Sequence, residues 1–134
     1  MGRKRVQNAT KVQAGGYNFR SKLEYAVYLA ILEAGIKPEY EKIKYTLLEG
    51  FDTLVNGKKE HVRPITYTPD FTFKYNNILY IIEVKGYKTD VYTLKRKLIL
   101  DRLSREDNTL FYEVKSKSDM EKILSEIKHL EVAL

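Results

Sequence analysis

The chain has 134 residues, of which 43% are hydrophobic and 31% charged, and its formal net charge is +6. This size predicts one globular domain, and the absence of cysteine excludes disulfides, thiolate catalysis and Cys-based metal sites. No apolar run approaches the roughly 18 residues of a membrane span, and no signal-peptide pattern follows the basic N-terminus, so we expect a cytoplasmic protein without membrane contact.

The positive charge is concentrated at the start of the chain. Residues 1–22 contain six basic residues and no acidic one, whereas the rest of the chain is neutral. We expect residues 1–20 to form a basic arm that lies against DNA phosphates. The alternative is a disordered solubilising tail. The basic side chains assigned to DNA binding here are Arg3, Lys4, Arg5, Lys11, Arg20 and Lys22.

Residues 21–134 are predicted to form a single domain with the element order αβββαβα. Periodic apolar residues between capping and stop signals indicate the helices, and short apolar or alternating runs indicate the strands. This order predicts an α/β fold with a mixed central sheet flanked by helices. The predicted helices are Ser21–Ala34, Val91–Leu103 and Ser118–Leu130, the last opened by a capping box of Ser118 and Glu121; the predicted strands are Ile43–Leu48, Ile65–Tyr75, Leu79–Val84 and Leu110–Val114, with a possible hairpin turn at Asn56-Gly57 in the polar connection 49–64.

A tight hairpin is predicted at Asn76-Asn77, since asparagine tolerates the positive φ of such a turn. With these two residues as the loop, Phe73 lies opposite Tyr80, Phe71 lies opposite Ile82, and one face of the hairpin is apolar. The same register places Asp70 opposite Glu83, with Lys85 next along that face. A shift by one residue would scatter the aromatic side chains, so the register is well determined.

The facing carboxylates of Asp70 and Glu83 indicate a metal site. Directly opposed Cβ atoms lie about 5 Å apart, and two carboxylates at that distance repel by about 3 kcal/mol at an effective dielectric near 20. Mg²⁺, or Mn²⁺ in its place, removes this repulsion and keeps waters for chemistry. Lys85 would then hold an attacking water or stabilise charge on a phosphate. The alternative is a solvated sheet face on which the two carboxylates splay apart.

The spacing of these residues is similar to a known signature. Pro69-Asp70, twelve residues and then Glu83-Val84-Lys85 resemble the PD-(D/E)XK motif of the restriction-like nuclease superfamily. The chain also resembles the phage Holliday-junction resolvases of the endonuclease I family, and small phage PD-(D/E)XK proteins with a Phe-x-Ser-x-x-Glu helix start. The resemblance covers about residues 15–100. The stretches that carry it are Phe19–Glu24, Gly35–Glu41, Tyr67–Phe71 and Glu83–Gly86.

The resemblance implies roles for individual residues. Asp70 and Glu83 would be metal ligands together with the Val84 carbonyl, Lys85 the catalytic lysine, and Glu24 a further catalytic and metal-binding carboxylate. The residues alone leave Glu24 ambiguous, because a Ser21-x-x-Glu24 capping box also explains it.

Two further lysines are DNA-binding candidates. Lys95 falls inside the apolar sector of the second predicted helix, between Val91/Leu98 and Ile99, from which it could reach the site or a phosphate. Snorkelling at the helix edge is the alternative for Lys95. Lys88 would add to a basic surface at the same end of the sheet.

The sequence therefore predicts a Mg²⁺-dependent DNA endonuclease that hydrolyses a phosphodiester by in-line attack of water. A small chain leaves no separate domain for reading base sequence, so we expect branched DNA, such as a Holliday junction, as the substrate in phage DNA recombination. Symmetric cutting of a junction requires two active sites and hence a homodimer. The alternatives are a nicking or end-processing nuclease of phage replication or packaging, and a catalytically idle DNA-binding protein with a nuclease fold.

Overall fold

The computed structural model describes residues 11–86 and 89–133, with side chains up to residue 129. This part of the chain contains three helices and ten strands, and it confirms the predicted α/β class. The helices are α1 (Lys22–Glu33), α2 (Asp90–Leu103) and α3 (Lys117–Ala133); the strands are β1 (Val12–Ala14), β2 (Tyr17–Phe19), β3 (Glu39–Tyr40), β4 (Tyr45–Leu48), β5 (Phe51–Val55), β6 (Lys58–Val62), β7 (Ile65–Tyr67), β8 (Phe71–Tyr75), β9 (Ile78–Val84) and β10 (Thr109–Val114).

The central sheet has four strands in the order β10-β9-β8-β3. β8 and β9 form the predicted antiparallel hairpin, in which Phe71 pairs with Ile82 and Phe73 with Tyr80. Asn76 and Asn77 take φ values of 52° and 66°, which confirms the tight turn between them. β10 is parallel to β9, and the connection between them contains α2. The sheet is therefore mixed, as predicted.

The predicted strand Ile65–Tyr75 is wrong as a single element, because it is interrupted before Phe71. β7 pairs with β4 in a separate two-stranded sheet, whereas β8 pairs with β9 and β3. Pro69 lies between β7 and β8, fully buried, and proline has no N–H for a sheet hydrogen bond. Tyr67 therefore does not share a face with Phe71, although the alternation of apolar residues predicts that it does.

Helices cover both faces of the central sheet. On one face, α1 and α3 enclose the larger apolar core, which includes Phe71, Phe73 and Ile82. On the other face, α2 packs over Ile81, and Tyr67 joins this second cluster. The face that carries Asp70 and Glu83 in the predicted register is therefore enclosed by α2 instead of being solvated.

Part of the predicted basic arm belongs to the folded domain. β1 and β2 pair as an antiparallel hairpin within residues 12–19, and Phe19 is completely buried in the larger core. The folded domain thus begins before residue 21, because burial of the Phe19 side chain in the core orders a segment whose other residues are mostly polar. The positions Arg3, Lys4 and Arg5 lie outside the described residues.

The helix ends follow capping chemistry, with one correction. At α1, the Ser21 Oγ accepts a hydrogen bond from the Glu24 N–H, and Gly35 follows the helix with φ 82°, both as predicted. The predicted capping box of Ser118 and Glu121 is wrong. The Ser116 Oγ accepts from the Asp119 N–H, so the side-chain cap lies two residues earlier, and Asp119 accepts from the N–H of Lys115, the residue before Ser116.

The inward face of α2 differs from the prediction. Val91 is 64% exposed, whereas Ile99 and Leu103 are buried and Tyr92 packs against the same cluster. Lys95 is half-buried at the border of this face.

The turn at Asn56-Gly57 connects β5 and β6 in an exposed hairpin. None of the helices in the described part of the chain is long and apolar enough to cross a membrane.

Candidate active site

Polar side chains converge at the carboxyl ends of β9 and β10, next to the first turn of α2. Glu83 is the penultimate residue of β9, and Asp70 immediately precedes the partner strand β8. The Asp70 Oδ2 accepts a hydrogen bond of 2.7 Å from the Val84 N–H. Asp70 is only 4% exposed and Lys85 only 8%. The hairpin therefore brings the predicted Asp70, Glu83 and Lys85 together in a largely buried position.

The two carboxylates interact unfavourably when both are charged. Burial, and next the negative charge of Glu83, raise the pKa of Asp70 well above its ordinary value, against the opposing effects of the Val84 N–H and Arg20. Burial also raises the pKa of Glu83, although a hydrogen bond from Tyr67 and the charge of Lys85 act in the opposite direction. The charged form of the pair is therefore disfavoured, first by burial and then by repulsion between the two carboxylates, in spite of the nearby Arg20 and Lys85.

Lys85 contributes a buried positive charge to the site. Its Nζ lies 3.5 Å from the centroid of the Tyr92 ring, a close cation–π contact. Its charge acts to lower the pKa of both Glu83 and Glu113. The ammonium is therefore held between the carboxylates of β9 and β10 and the start of α2.

Glu24 reaches the same region from α1 and is 7% exposed. Its Oε1 accepts hydrogen bonds from the Tyr40 hydroxyl at 2.7 Å and from the Arg20 N–H at 2.8 Å. In a complete capping box, this carboxylate would accept from the N–H of Ser21 itself. Glu24 also acts to raise the pKa of Asp70. The Glu24 carboxylate thus belongs to the electrostatic environment of the candidate site. Its backbone hydrogen bond comes from Arg20, one residue before the donor that a capping box would use.

Arg20 connects three acidic side chains. Its Nη2 lies 2.5 Å from the Glu41 Oε2 and 3.3 Å from the Asp70 Oδ1, and its Nε lies 3.7 Å from the Glu24 Oε2. Burial acts against its charge, but Glu24 and Glu41 raise the pKa of Arg20 above its ordinary value. Arg20 was predicted to bind DNA, whereas its guanidinium here neutralises the acidic side of the site.

Glu113 is a site residue that the sequence did not reveal. It pairs with Glu83 across the parallel strands β9 and β10. Its Oε2 accepts from the Tyr92 hydroxyl at 2.5 Å and from the Arg96 Nε at 2.9 Å. Burial acts to raise its pKa, but these two hydrogen bonds together hold the pKa of Glu113 below its ordinary value. The available signal was its penultimate place in β10, which matches that of Glu83 in β9.

Each of the three glutamates accepts a hydrogen bond from a tyrosine. Tyr40 donates to Glu24, Tyr92 donates to Glu113, and Tyr67 donates to Glu83 at 2.5 Å. Burial, reinforced by the adjacent carboxylate, raises the pKa of each of these tyrosines. The hydroxyls therefore stay protonated at neutral pH and fix the orientation of the carboxylates.

The donor set fits a hard divalent cation in part. Asp70 and Glu83 supply carboxylate oxygens, and the shared negative charge of the pair favours a cation. Among the residues that the structure describes, no three Asp, Glu or His side chains lie close enough to bind one metal ion together. Glu24 is therefore not placed as a third ligand beside Asp70 and Glu83 in this arrangement. Two carboxylates and several waters remain a normal environment for Mg²⁺.

Comparison with known proteins places the chain in one family. A family described as "Protein of unknown function (DUF1064)" matches residues 4–123, which is most of the chain. The chain belongs to the DUF1064 family. The match includes Arg20, Glu24, the β8–β9 hairpin, α2 and β10, so the whole candidate site lies within the DUF1064 region. No curated protein and no solved structure matches the chain.

The other predicted DNA-binding residues of this DUF1064 chain that the structure describes lie on different elements. Lys11 and Lys22 are exposed near the N-terminal hairpin and α1, and Lys95 is half-buried on α2. Lys88 lies outside the described residues, as do the first three basic positions of the arm. Among the described candidates, two lysines, Lys11 and Lys22, are therefore exposed to solvent, whereas Arg20 pairs with carboxylates of the chain itself.

Proposed function

We propose that the chain is a metal-dependent DNA endonuclease that hydrolyses phosphodiester bonds. The observation that carries this proposal is the pair of the buried Asp70 and the half-buried Glu83, with both pKa values raised, next to the buried Lys85. Burying two like charges side by side opposes folding. Titratable groups perturbed by burial and by a specific charged neighbour are concentrated at functional sites.

We assign Asp70 and Glu83 as the side chains that hold Mg²⁺, or Mn²⁺ in its place, with the Val84 carbonyl as a third oxygen. When bound, the ion supplies a Lewis acid that polarises a phosphoryl oxygen and lowers the pKa of water. Tyr67 orients Glu83 through its hydroxyl, and the Val84 N–H orients Asp70. Glu24 is a further acidic group of the site, neutralised by Arg20.

Lys85 supplies the positive charge for the reaction. Its ammonium is buried beside Glu83, where electrostatic interactions are stronger than in water. From this position it can hold the attacking water or stabilise the charge that develops on the phosphate oxygens. The catalytic group that we propose is therefore Asp70, Glu83 and Lys85, with Glu24 in support.

Branched DNA is the substrate that we propose, with cleavage by a homodimer in phage DNA recombination in the host cytoplasm. The described residues form one α/β unit around the site and add no second unit for reading base sequence. The net charge of +6 and the exposed Lys11 and Lys22 support contact with DNA phosphates. Two copies would supply the two active sites that symmetric junction cleavage requires.

The test is a cleavage assay on three DNA substrates: a four-way junction, a linear duplex of the same length and a supercoiled plasmid. Each is incubated with the purified protein in Mg²⁺, in Mn²⁺ and in EDTA. We expect cleavage that depends on the metal and favours the junction. Nicking of the plasmid without junction preference would support the nicking or end-processing alternative. Tight junction binding without cleavage in any metal would instead indicate a catalytically idle DNA-binding protein.

Matched variants locate the chemistry. Asp70→Asn, Glu83→Gln and Lys85→Ala should each lower the cleavage rate by about 100-fold or more, as expected for loss of a group that stabilises the transition state. Glu121→Gln on α3 and Lys74→Ala at the far end of β8 remove exposed charges of the same types and should cleave normally. Full activity in Glu83→Gln or Lys85→Ala would refute the site assignment.

A further inference from the structure

We propose that Tyr92 is a positioning residue that holds the ammonium of Lys85 in place for the reaction. This inference rests on the nuclease function proposed above and adds a residue to it. Tyr92 lies in the first turn of α2, outside the strands that carry the carboxylates. Its ring is 3.5 Å from the Lys85 Nζ, measured to the ring centroid.

The cation–π contact between Lys85 and Tyr92 restrains the position of the Lys85 ammonium. The negative face of an aromatic ring attracts an ammonium, and the attraction grows when the pair is removed from water. Lys85 is 8% exposed, and Tyr92 is half-buried. A lysine side chain has four flexible carbon–carbon bonds, so a burial site alone does not determine where its ammonium rests. A ring face provides one preferred position.

Tyr92 is anchored both through its backbone and through its hydroxyl. The Tyr92 backbone N–H donates to the Thr89 Oγ1 at 3.0 Å, which connects it to the N-cap of α2. The Tyr92 hydroxyl donates to the Glu113 Oε2 on β10 at 2.5 Å. Arg96, one helical turn further along α2, donates to that same oxygen at 2.9 Å. The ring is thus attached to two elements of the fold, and the position of Lys85 is tied to both.

The arrangement gives Glu113 and Arg96 a role as well. Glu113 fixes the Tyr92 hydroxyl, and Arg96 neutralises Glu113, so these two act on Lys85 through the ring. A misplacement of about 1 Å in a reacting group can reduce an enzymatic rate about 100-fold. Loss of the ring should therefore affect the chemical step more than DNA binding.

The test compares Tyr92→Leu, which removes the ring, with Tyr92→Phe, which keeps the ring and loses the hydroxyl. In the metal-free protein, the Lys85 Hε protons should show an upfield NMR ring-current shift. We expect this shift to be lost in Tyr92→Leu and to be largely retained in Tyr92→Phe. Tyr112→Leu is the matched control, because the Tyr112 ring packs against the core on the other face of the sheet.

Kinetics provide the second measurement. Under single-turnover conditions with the four-way junction and Mg²⁺, Tyr92→Leu should cleave about 10-fold more slowly at saturating protein, with an unchanged Kd for the junction. Tyr92→Phe should restore the rate to within about threefold of the wild type. A weaker Kd for the junction with an unchanged rate at saturating protein would overturn the positioning role. Equal rate losses in Tyr92→Leu and Tyr92→Phe would overturn it as well.

The two proposals fail in different ways. If the wild-type protein cleaves no DNA in any metal, the proposed function fails, while the NMR shift still reports whether Tyr92 holds Lys85. If the wild type cleaves but Lys85 shows no ring-current shift, or keeps it in Tyr92→Leu, the inference about Tyr92 is wrong and the nuclease proposal stands.

Discussion

Replacing Asp70 with asparagine should stabilise the metal-free protein at neutral pH. An asparagine Oδ1 can still accept the hydrogen bond from the Val84 N–H, so the substitution removes charge and keeps the local contact. Repulsion between two carboxylates about 5 Å apart amounts to about 3 kcal/mol at an effective dielectric near 20. Attraction to Arg20 offsets part of this repulsion. We therefore expect the free energy of unfolding to rise by about 1–2 kcal/mol in Asp70→Asn.

The pH dependence follows from the raised pKa of Asp70. The folded chain binds this proton more tightly than the unfolded chain, so the wild type loses stability as the pH rises from about 4, the ordinary value for aspartate, to the higher value in the folded chain. Below about pH 4 the carboxyl group is neutral in both states. The advantage of Asp70→Asn should then disappear, apart from effects of the substitution that do not depend on pH.

Urea denaturation in EDTA at pH 4 and at pH 8 measures this difference. Glu121→Gln, an exposed carboxylate on α3, is the control and should change little at either pH. Mg²⁺ at about 100 times its Kd should stabilise the wild type by about 2.7 kcal/mol and Asp70→Asn by much less. An Asp70→Asn protein that is less stable than the wild type at pH 8 in EDTA would show that the charge of Asp70 does not destabilise the folded chain.

Three other predictions concern the frame of the site. Arg20→Ala should lower the free energy of unfolding by about 1 kcal/mol at pH 7 and by less at pH 4, because its guanidinium is largely exposed and the Asp70 carboxyl, whose pKa is raised, is neutral at the lower pH; the two urea titrations are compared, and an equal loss at both pH values would contradict an ionic role. Phe19→Ala should cost about 3–5 kcal/mol in urea denaturation, since the ring is fully buried, and a loss below about 1 kcal/mol would return residues 12–19 to a peripheral arm. Asn77→Ala should cost about 1 kcal/mol in thermal unfolding because its φ is 66°, whereas Asn77→Gly should cost little; equal losses would exclude backbone strain as the cause.

The β8–β9 hairpin was predictable because local signals agree there. The turn at Asn76-Asn77 and the aromatic alternation on both sides select one register, and that register determines where Asp70, Glu83 and Lys85 lie. A slip by one residue would reverse every side chain, so few alternatives compete. The central part of the candidate site follows from these short-range constraints.

Other parts depend on contacts that the local pattern does not contain. The pairing of Glu113 with Glu83 requires knowing that β10 is parallel to β9, which a crossover of more than twenty residues determines. Arg20 looks like part of a basic arm until Phe19 is known to be buried beside it. The interruption at Pro69 was readable in principle, but the continuous alternation of apolar residues outweighed it.

Binding of one divalent cation by Asp70 and Glu83 together is measured directly by a Mn²⁺ titration followed by electron paramagnetic resonance. The free Mn²⁺ signal is recorded with the wild type, with Glu83→Gln and with the control Glu121→Gln. We predict one bound ion per chain in the wild type and in the control, with affinity lowered at least about 10-fold in Glu83→Gln. Equal binding in all three proteins, or no binding in the wild type, would contradict binding of the ion by this pair.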